Sequence, residues 1–331
     1  MHLVFMTPSP DPAGGGSAFN AGLVPALRAL GHHVETATSA AIPAALASGA
    51  LSIIDGMLLP ELEPHIEALA AQDAVVIVHH TSAKAGRDPT ARNTIRDIER
   101  RMLPRLRRVI TTSAPVAERL TADYGVAAPI LLPPGLPDLP RSPGSGGPNS
   151  SGPSCHILSL GVLTPRKGHD RLLRALARLF DLDWTLTIAG DTQRDPLHAA
   201  SIATLIQDLN LAARVTLLPD PTDAALAAEW NRADLFALAS SWEGYPAAMA
   251  EALRRGIPVL ALRVGGVPDL VPQTAGILCA PDDAPTLSKS LRRAIYDRTL
   301  RAALAEGAFH AGAALPSWDQ QARAFLTILE G

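Results

Sequence analysis

This sequence has few cysteines, no excess of basic residues and no long apolar runs. Its two cysteines, Cys155 and Cys279, cannot build a disulfide framework or a four-thiolate metal site, so we expect buried, reduced thiols. The 29 Lys and Arg residues are balanced by 32 Asp and Glu, which argues against a nucleic-acid binder. No stretch approaches the roughly 18 apolar residues of a membrane span, and no signal peptide is recognisable. These absences predict a cytoplasmic protein.

The sequence does contain enough apolar material for more than one core. Its 331 residues exceed the length at which a single core usually stops growing, and 47% of them are hydrophobic. Short apolar runs alternate with helical patterns, as in parallel sheets built from strand–helix–strand units. Because the runs are uniformly apolar, helices should cover both faces of each sheet. The runs lie at residues 3–6, 33–38, 51–55, 74–78, 108–112, 156–160, 184–189, 214–218, 234–238, 257–262 and 276–280.

A break in composition divides the chain. Residues 141–154 are Gly, Pro, Ser and Asn apart from one Arg, which predicts an exposed flexible linker. We therefore predict one doubly wound α/β domain over 1–140, a second over 155–315, and a terminal helix over 316–331. From pattern alone, that helix could pack on its own domain or cross back to brace the first. Ligands of open α/β sheets bind at the carboxyl ends of the strands, so the function is expected in a cleft between the domains.

Two glutamates eight residues apart carry the most specific signal. Glu243 ends the loop after a predicted strand, and Glu251 lies about two turns into the following helix. The start of that helix should leave backbone N–H groups near residues 244–248 free to bind an anion. The carboxylates could accept hydrogen bonds from sugar hydroxyls. The alternative is that Glu243 caps the helix and Glu251 is merely solvated.

Two cations follow the strand predicted at 156–160. Arg166 and Lys167 lie where the next helix begins, and two cations at the carboxyl end of a strand can neutralise a diphosphate. Gly161 and Gly168 would let the backbone approach closely. The alternative is an ordinary solvated turn.

The first half carries weaker signals. Three glycines at 14–16, with Ser17 as N-cap of a helix over 17–30, suggest a phosphate-binding loop, although the spacing fits neither GxGxxG nor a P-loop. His79 and His80 end the fourth strand, where one of them could orient a substrate hydroxyl; the alternative for both is a structural role. The sequence has no GxSxG, HExxH or CxxC motif, which leaves hydrolase and zinc-enzyme interpretations without support.

GVLTPRKGHD at 161–170, followed by SSWEGYPAAMAEAL at 240–253 and GIPVLALRVGGVPDL at 256–270, resembles the family-4 retaining glycosyltransferases. The resemblance covers essentially the whole chain, and the glutamate pair followed by GIPV and GG is its most specific element. It implies the GT-B fold: two Rossmann-like domains facing a cleft, with the C-terminal helix crossing back to the first domain. Many members have Gly-Arg where this chain has Gly161 and Val162, and the following PRKGHD sequence marks a subgroup in which an arginine before the lysine supplies the cation.

The resemblance also implies roles for individual residues. Glu251 would bond the ribose hydroxyls of a nucleotide-sugar donor, and Glu243 would lie near the donor sugar. Arg166 and Lys167 would neutralise the diphosphate leaving group. The remaining implied residues are His79 at the reacting centre and, around the donor, Gly15, Gly16, Gly161, Gly244, Tyr245, Ala247 and Ala248.

The implied reaction moves a sugar from a UDP- or GDP-linked donor to a hydroxyl of an unidentified glycan, lipid or small molecule. Retention, with attack from the leaving-group face, and independence of metal or another cofactor are carried over from the family. Base contacts are expected around residues 217–220, and peripheral membrane contact would require a basic patch such as residues 92–108. Two alternatives stay open: a sugar-nucleotide epimerase of similar fold, and a non-catalytic nucleotide- or sugar-binding module.

Overall fold

The structure, a computed structural model, describes residues 1–8, 15–80, 89–145, 155–281 and 283–331. Contacts between residues divide the chain into two compact units. The first unit consists of Met1–Pro137 and Pro316–Gly331, and the second unit is Asp138–Leu315.

Each unit is built around a six-stranded parallel sheet. The first sheet has the order β2-β1-β3-β4-β5-β6 and the second the order β12-β11-β10-β7-β8-β9. All eleven predicted strands are present, and β6 is the one further strand within the described ranges. The strands are β1 His2–Met6, β2 His33–Ala37, β3 Leu51–Asp55, β4 Val75–Val78, β5 Arg108–Thr111, β6 Ile130–Leu131, β7 His156–Leu160, β8 Thr185–Gly190, β9 Val215–Pro219, β10 Leu235–Leu238, β11 Val259–Leu262 and β12 Gly276–Cys279.

Helices connect these strands. The α-helices are α1 Gly15–Ala29, α2 Ile42–Ala47, α3 Leu59–Leu62, α4 Ile66–Ala71, α5 Pro89–Met102, α6 Ala114–Tyr124, α7 His169–Leu176, α8 Pro196–Asp208, α9 Asp223–Arg232, α10 Ala247–Arg254, α11 Val267–Leu270, α12 Ala284–Tyr296, α13 Arg298–Ala313 and α14 Trp318–Glu330. None of the helices within the described ranges is long and apolar enough to cross a membrane.

Both faces of the first sheet are covered. Val4 and Met6 of β1 belong to one buried cluster, whereas Leu3 and Phe5 of the same strand belong to another. Successive side chains of a strand point to opposite faces, so two separate clusters mean that apolar helices pack on each side. This arrangement explains why the strands read as continuous apolar runs. In the second unit, Cys155 and Cys279 are free and buried within its core.

The order of the strands locates the ligand-binding edge of each sheet. In the first unit, β1 lies between β2 and β3, so the chain continues to opposite sides of it. In the second unit, β7 lies between β8 and β10 in the same way. Such switch points leave a crevice at the carboxyl ends of the two neighbouring strands, where ligands of doubly wound folds bind. The loops after β1, β3, β7 and β10 are therefore the places to look for a site.

The terminal helix α14 belongs to the first unit. The side chain of Phe325 is fully buried in that unit's core, and a capping box between Ser317 and Gln320 fixes the start of the helix. The Trp318 ring lies on α1 at Gly22, where an added Cβ would come within 2.0 Å of the ring. The terminal helix therefore packs on the first unit and not on the unit that precedes it in the chain, which is the second of the two alternatives given above.

Two local expectations differ from the structure. Part of the predicted exposed linker is bound to the second unit, because the N–H of Ser142 donates to Arg255 O at 2.8 Å and the N–H of Ser145 donates to the Asp234 carboxylate at 3.0 Å. Residues 146–154 of the predicted linker lie outside the described residues. Helix α1 begins at Gly15, so Ser17 lies in its first turn and is not the N-cap. Gly14 also lies outside the described residues.

Candidate functional site

The candidate site of the second unit lies at its switch point. Arg166 and Lys167 follow β7, and residues 240–243 follow β10, the neighbouring strand. Because parallel strands end at the same edge of the sheet, these two loops meet. The N–H of Ser241 donates to Arg166 O at 2.8 Å and ties one loop to the other.

Two cations converge there on one carboxylate. Lys167 Nζ donates to Glu243 Oε1 at 2.7 Å, and Arg166 Nη1 donates to Glu243 Oε2 at 3.2 Å. Ser240 Oγ donates to Oε1 at 2.6 Å. The Glu243 side chain is only 6% exposed and that of Lys167 14%, whereas the Arg166 side chain is 43% exposed. We call Arg166, Lys167 and Glu243 the charged triad; its net charge is positive and its guanidinium faces solvent.

Burial and mutual attraction oppose each other in the charged triad. Burial alone would raise the pKa of Glu243, but attraction to Lys167 and then Arg166, with the hydrogen bonds from Lys167 and Ser240, lowers it. For Lys167, burial lowers the pKa and the nearby Arg166 adds to this effect, while Glu243 counteracts it. Lys167 and Arg166 therefore keep the Glu243 carboxylate ionised. An anionic ligand that binds here would have to compete with this carboxylate for the same two cations.

Glycines give the charged triad its shape. A Cβ on Gly161 would lie 3.1 Å from the aliphatic stem of Lys167, which runs across this position. Gly168 has φ +67° and its Cβ would meet Ala239 O at 2.0 Å. Gly265, with φ +48°, approaches Glu243 O so closely that a Cβ would lie 1.9 Å from it. Gly265, the first glycine of the GG pair, thus packs directly against the Glu243 backbone, because only glycine tolerates this conformation and contact.

The start of α10 offers backbone donors beside Glu243. Within the described part of the chain, the N–H groups of Gly244, Tyr245 and Ala248 make no backbone hydrogen bond. The expectation of free N–H groups throughout 244–248 was too broad: Pro246 has none, and Ala247 donates to Tyr245 O at 3.0 Å. The Tyr245 hydroxyl is buried and has no hydrogen-bond partner among the described residues, and burial raises its pKa to about 12. A helix start with unbonded N–H groups suits an anion.

Glu251 is held by an arginine one turn further along α10. Arg255 Nη2 donates to Glu251 Oε1 at 3.1 Å, and its guanidinium lies over the Trp230 ring, 5.4 Å from the centroid. Burial raises the pKa of Glu251, while the hydrogen bond and charge of Arg255 counteract the rise. Within the described residues Oε2 accepts no hydrogen bond, so one carboxylate oxygen is left for a ligand.

The corresponding edge of the first unit carries Asp55 and His79. Asp55 ends β3 at the switch point, and His79 follows β4, the next strand. His79 Nε2 lies 3.9 Å from Asp55 Oδ2, which is beyond hydrogen-bonding distance, and both atoms are buried without a hydrogen-bond partner among the residues that the structure describes. Asp55 Oδ1 accepts the N–H of Met57 at 3.0 Å. Each of these two side chains therefore has one buried polar atom that forms no hydrogen bond within the described residues.

Burial shifts the pKa values of both groups toward their neutral forms. It lowers the pKa of His79 to about 4. Burial also raises the pKa of Asp55, although the Met57 N–H and the charge of His80 counteract the rise. Two aromatic rings pack in series beside His79. The centroid of its ring lies 5.2 Å from that of Phe19, and the Phe19 centroid lies 5.5 Å from that of Trp318 of α14. The terminal helix thereby supports His79 through one intervening ring.

The structure brings together some of the predicted site residues. Arg166, Lys167 and Glu243 form one cluster, with Gly161 against it and Gly244 next in the chain. Glu251 has its own partner, and Gly15 and Gly16 form the start of α1. His79 belongs to the first unit, as does His80.

Sequence reasoning missed several contacts. Ser240 and Arg255 were not predicted, although Arg255 stands four residues after Glu251, the spacing of a helical ion pair. Asp55 was missed although it ends an apolar run at the same edge as His79. No motif in the sequence indicates a role for Ser240, because its hydrogen bond to Glu243 depends on how the loop after β10 folds.

Three of the seven arginines in the basic stretch at residues 92–108 form ion pairs with acidic neighbours. Arg101 is ion-paired with Glu63, Arg105 with Glu67, and Arg107 with Asp73 at 3.2 Å. Arg100 and Arg108 donate to backbone carbonyl oxygens. These contacts reduce the positive charge that this surface would present to a membrane.

Comparison with known sequences finds similarity mainly in the second unit. The profile of the family described as "Glycosyl transferases group 1" matches residues 149–311. D-inositol 3-phosphate glycosyltransferase of Salinispora arenicola is 32% identical over 180 residues, which make up 52% of this chain and 40% of that protein. The enzyme of the same name from Actinosynnema mirum is 30% identical over 235 residues, 66% of this chain and 56% of that protein. The chain thus spans about half the length of the curated relatives it matches.

Solved structures resemble the chain along its whole length. Sucrose-phosphate synthase of Thermosynechococcus elongatus superposes with a TM-score of 0.84 at 21% identity and covers 99% of this chain and 98% of its own. HepE of Anabaena, in complex with UDP and glucose, superposes with a TM-score of 0.79 at 17% identity over the full length of both chains. The predicted GT-B fold, with two Rossmann-like domains, is confirmed by this likeness.

Proposed function

We propose that this chain, whose residues 149–311 match the profile of the glycosyl transferases group 1 family, transfers a sugar from a nucleoside-diphosphate sugar to a hydroxyl group. The observation that carries the proposal is the charged triad at the switch point of the second unit. Two cations beside unbonded backbone N–H groups form a site for a multiply charged anion. A glutamate with an unbonded oxygen, Glu251, lies on the helix that begins there and suits a ribose.

Binding of the diphosphate is proposed to rearrange the charged triad. Arg166 is its most exposed member, so it is the cation that a phosphate reaches first. As Arg166 and Lys167 turn to the diphosphate, the oxygens of Glu243 become available to the hydroxyls of the donor sugar. Glu243 therefore has two roles in this proposal: it holds the cations before the donor binds and contacts the sugar afterwards.

The chemical step breaks the bond between the anomeric carbon and the β-phosphate oxygen. Negative charge develops on the departing nucleoside diphosphate, and the sugar acquires oxocarbenium character. Once Arg166 and Lys167 have turned to the bound diphosphate, they and the N–H groups at the start of α10 are in place before the bond breaks, so they stabilise the departing charge. The acceptor oxygen forms the new bond from the same face, and its proton passes to the phosphate. We propose on these grounds a retaining reaction that needs no metal ion.

The first unit is proposed to bind the acceptor. Asp55 Oδ2 and His79 Nε2 are buried and have no hydrogen-bond partner within the described ranges, so a hydroxyl placed beside them would gain hydrogen bonds with them. The acceptor remains a glycan, a lipid or a small molecule. UDP is the first nucleotide to test because HepE is known in complex with UDP and glucose, and GDP is the second. The base is expected near residues 217–220, where β9 ends.

A transfer assay tests this function. UDP- and GDP-linked hexoses are incubated with the chain and an acceptor panel that includes D-inositol 3-phosphate, because the curated relatives bear that name. EDTA is present throughout, and released nucleotide and new glycoside are quantified. We expect acceptor-dependent release of nucleotide and a product whose anomeric configuration, read by NMR, matches that of the donor. Glu243→Gln is expected to lose turnover, whereas Glu118→Gln on the exposed face of α6 serves as the control.

The other interpretations give different outcomes in the same assay. A sugar-nucleotide epimerase would release an epimerised sugar or sugar nucleotide without an acceptor. A binding module would bind nucleotide and form no product with any acceptor. An inverted product would refute retention, and activity that appears only after a divalent ion is added would refute metal independence.

A further inference from the structure

Three metal-ligating side chains meet on the first sheet, at the opposite edge from Asp55 and His79. In the parallel pairing of β1 with β2, His2 stands opposite His33. Glu35 follows His33 by two residues and so lies on the same face of β2. Within the described ranges, no other group of three His, Cys, Asp or Glu side chains brings its ligand atoms within 4.8 Å of one another.

The three ligand atoms lie within 4.8 Å of one another, and His2 and Glu35 are hydrogen-bonded. His2 Nε2 lies 2.7 Å from Glu35 Oε1, and His33 Nε2 lies 3.7 Å from the same oxygen. The imidazole rings are stacked, with centroids 4.5 Å apart and an interplanar angle of 26°, so their Nε2 atoms approach the carboxylate side by side. Ligands around a tetrahedral zinc ion at its usual bond lengths are about 3.3 Å apart. The two observed distances bracket that value.

The donor set selects the kind of ion. Two imidazoles and one carboxylate suit zinc and its neighbours in the first transition row, whereas magnesium and calcium prefer oxygen ligands alone. All three side chains are partly open to solvent, from 37% exposed for His2 to 69% for His33. An ion can therefore enter without opening the fold, and water can complete its coordination.

We propose that His2, His33 and Glu35 form a binding site for a divalent transition-metal ion, with zinc as the reference ion. β2 is an edge strand of the first sheet, paired only with β1 within the described residues. An ion bound by one ligand of β1 and two of β2 ties this edge strand to its neighbour. The site lies at the amino ends of the strands, so its expected effect is on the stability of the first unit and not on sugar transfer.

Zinc titration of the chain without a polyhistidine tag tests the proposal. Isothermal titration calorimetry should show one zinc ion per chain, and the melting temperature should rise in zinc relative to EDTA. His33→Ala and Glu35→Ala each remove a ligand and should weaken binding by at least about tenfold, since even changes outside the coordination sphere cost 10–100-fold. Both side chains are exposed, and an unchanged melting temperature in EDTA will show that the variants fold.

His32→Ala is the matched control, because it removes a neighbouring histidine that is not one of the three ligands. It should bind zinc as the wild type does. The proposal is overturned if zinc neither binds nor raises the melting temperature. It is equally overturned if His33→Ala and Glu35→Ala bind as tightly as the wild type, or if His32→Ala weakens binding as much as they do.

Discussion

The two units present different chemistry at the same position of the same fold. At the switch point of the second unit, two cations satisfy one buried carboxylate, and every bond of the charged triad is between 2.7 and 3.2 Å. At the corresponding edge of the first unit, Asp55 and His79 face each other at 3.9 Å with unsatisfied atoms. One site is rich in paired charge, and the other consists of two buried groups whose shifted pKa values favour their neutral forms.

This difference matches what each unit is proposed to bind. A diphosphate is the same in every nucleoside-diphosphate-sugar donor, so charges fixed by glycines and mutual pairing can serve all of them. A hydroxyl acceptor carries no charge, and buried groups with unused hydrogen-bonding capacity suit it better. The contrast therefore predicts two kinds of effect. Substitutions in the second unit should slow the departure of the nucleoside diphosphate, whereas substitutions in the first unit should alter hydrogen bonding to the acceptor hydroxyl and its pH dependence.

The largest effect is expected from Lys167→Ala. The substitution removes a buried cation from the departing diphosphate, so turnover of the sugar nucleotide should fall by about 10²–10³-fold, the usual cost of losing one electrostatic donor at a developing charge. Steady-state release of nucleotide measures it. Lys289→Ala, at an exposed position on α12, is the control and should leave turnover unchanged. Wild-type turnover in Lys167→Ala would remove this residue from the mechanism.

A smaller effect is expected on stability in acid from His79→Gln. The pKa of His79 is about 4 in the folded chain against an ordinary value of 6.5. Between these values the unfolded chain takes up a proton that the folded chain does not, so the free energy of unfolding falls as the pH falls through this window. The loss amounts to roughly 2–3 kcal/mol by about pH 4, since each pKa unit corresponds to about 1.4 kcal/mol. Glutamine cannot titrate and should abolish this part of the loss.

The measured quantity is the difference between wild type and variant in urea unfolding at neutral and acidic pH. Burial also lowers the pKa of His169 in the second unit, to about 3, and this contributes an acid-induced loss of its own. Because that loss is common to both chains, it cancels in the comparison. His310→Gln, at an exposed position on α13, should retain the wild-type pH dependence. Equal acid sensitivity of His79→Gln and wild type would show that His79 is not buried in its neutral form.

Local sequence patterns were sufficient to predict the sheets. Continuous apolar runs such as Val75–Val78 identify parallel strands covered on both faces, and every predicted run became a strand. Ile130–Leu131 was missed because two residues before a proline pair carry no periodicity. Residues 141–145 were misread because their composition suits a linker, whereas their hydrogen bonds depend on partners such as Asp234 nearly a hundred residues away.

The same limit applies to the site. Arg166, Lys167 and Glu243 could be predicted individually because their residue types and positions after strands indicate anion chemistry. The sequence alone could not predict that both cations bind the same carboxylate, since this depends on β7 and β10 being neighbours in the sheet. The role of Gly265 likewise follows only from its contact with Glu243 O.

The measurement that tests the central claim most directly is the melting temperature with UDP and GDP in EDTA, for the wild type and for Glu251→Ala. A nucleoside diphosphate should raise the melting temperature of the wild type, and Glu251→Ala should abolish the shift while its melting temperature without nucleotide stays close to that of the wild type. Absence of a shift with either nucleotide, or an undiminished shift in Glu251→Ala, would contradict a donor site in the second unit.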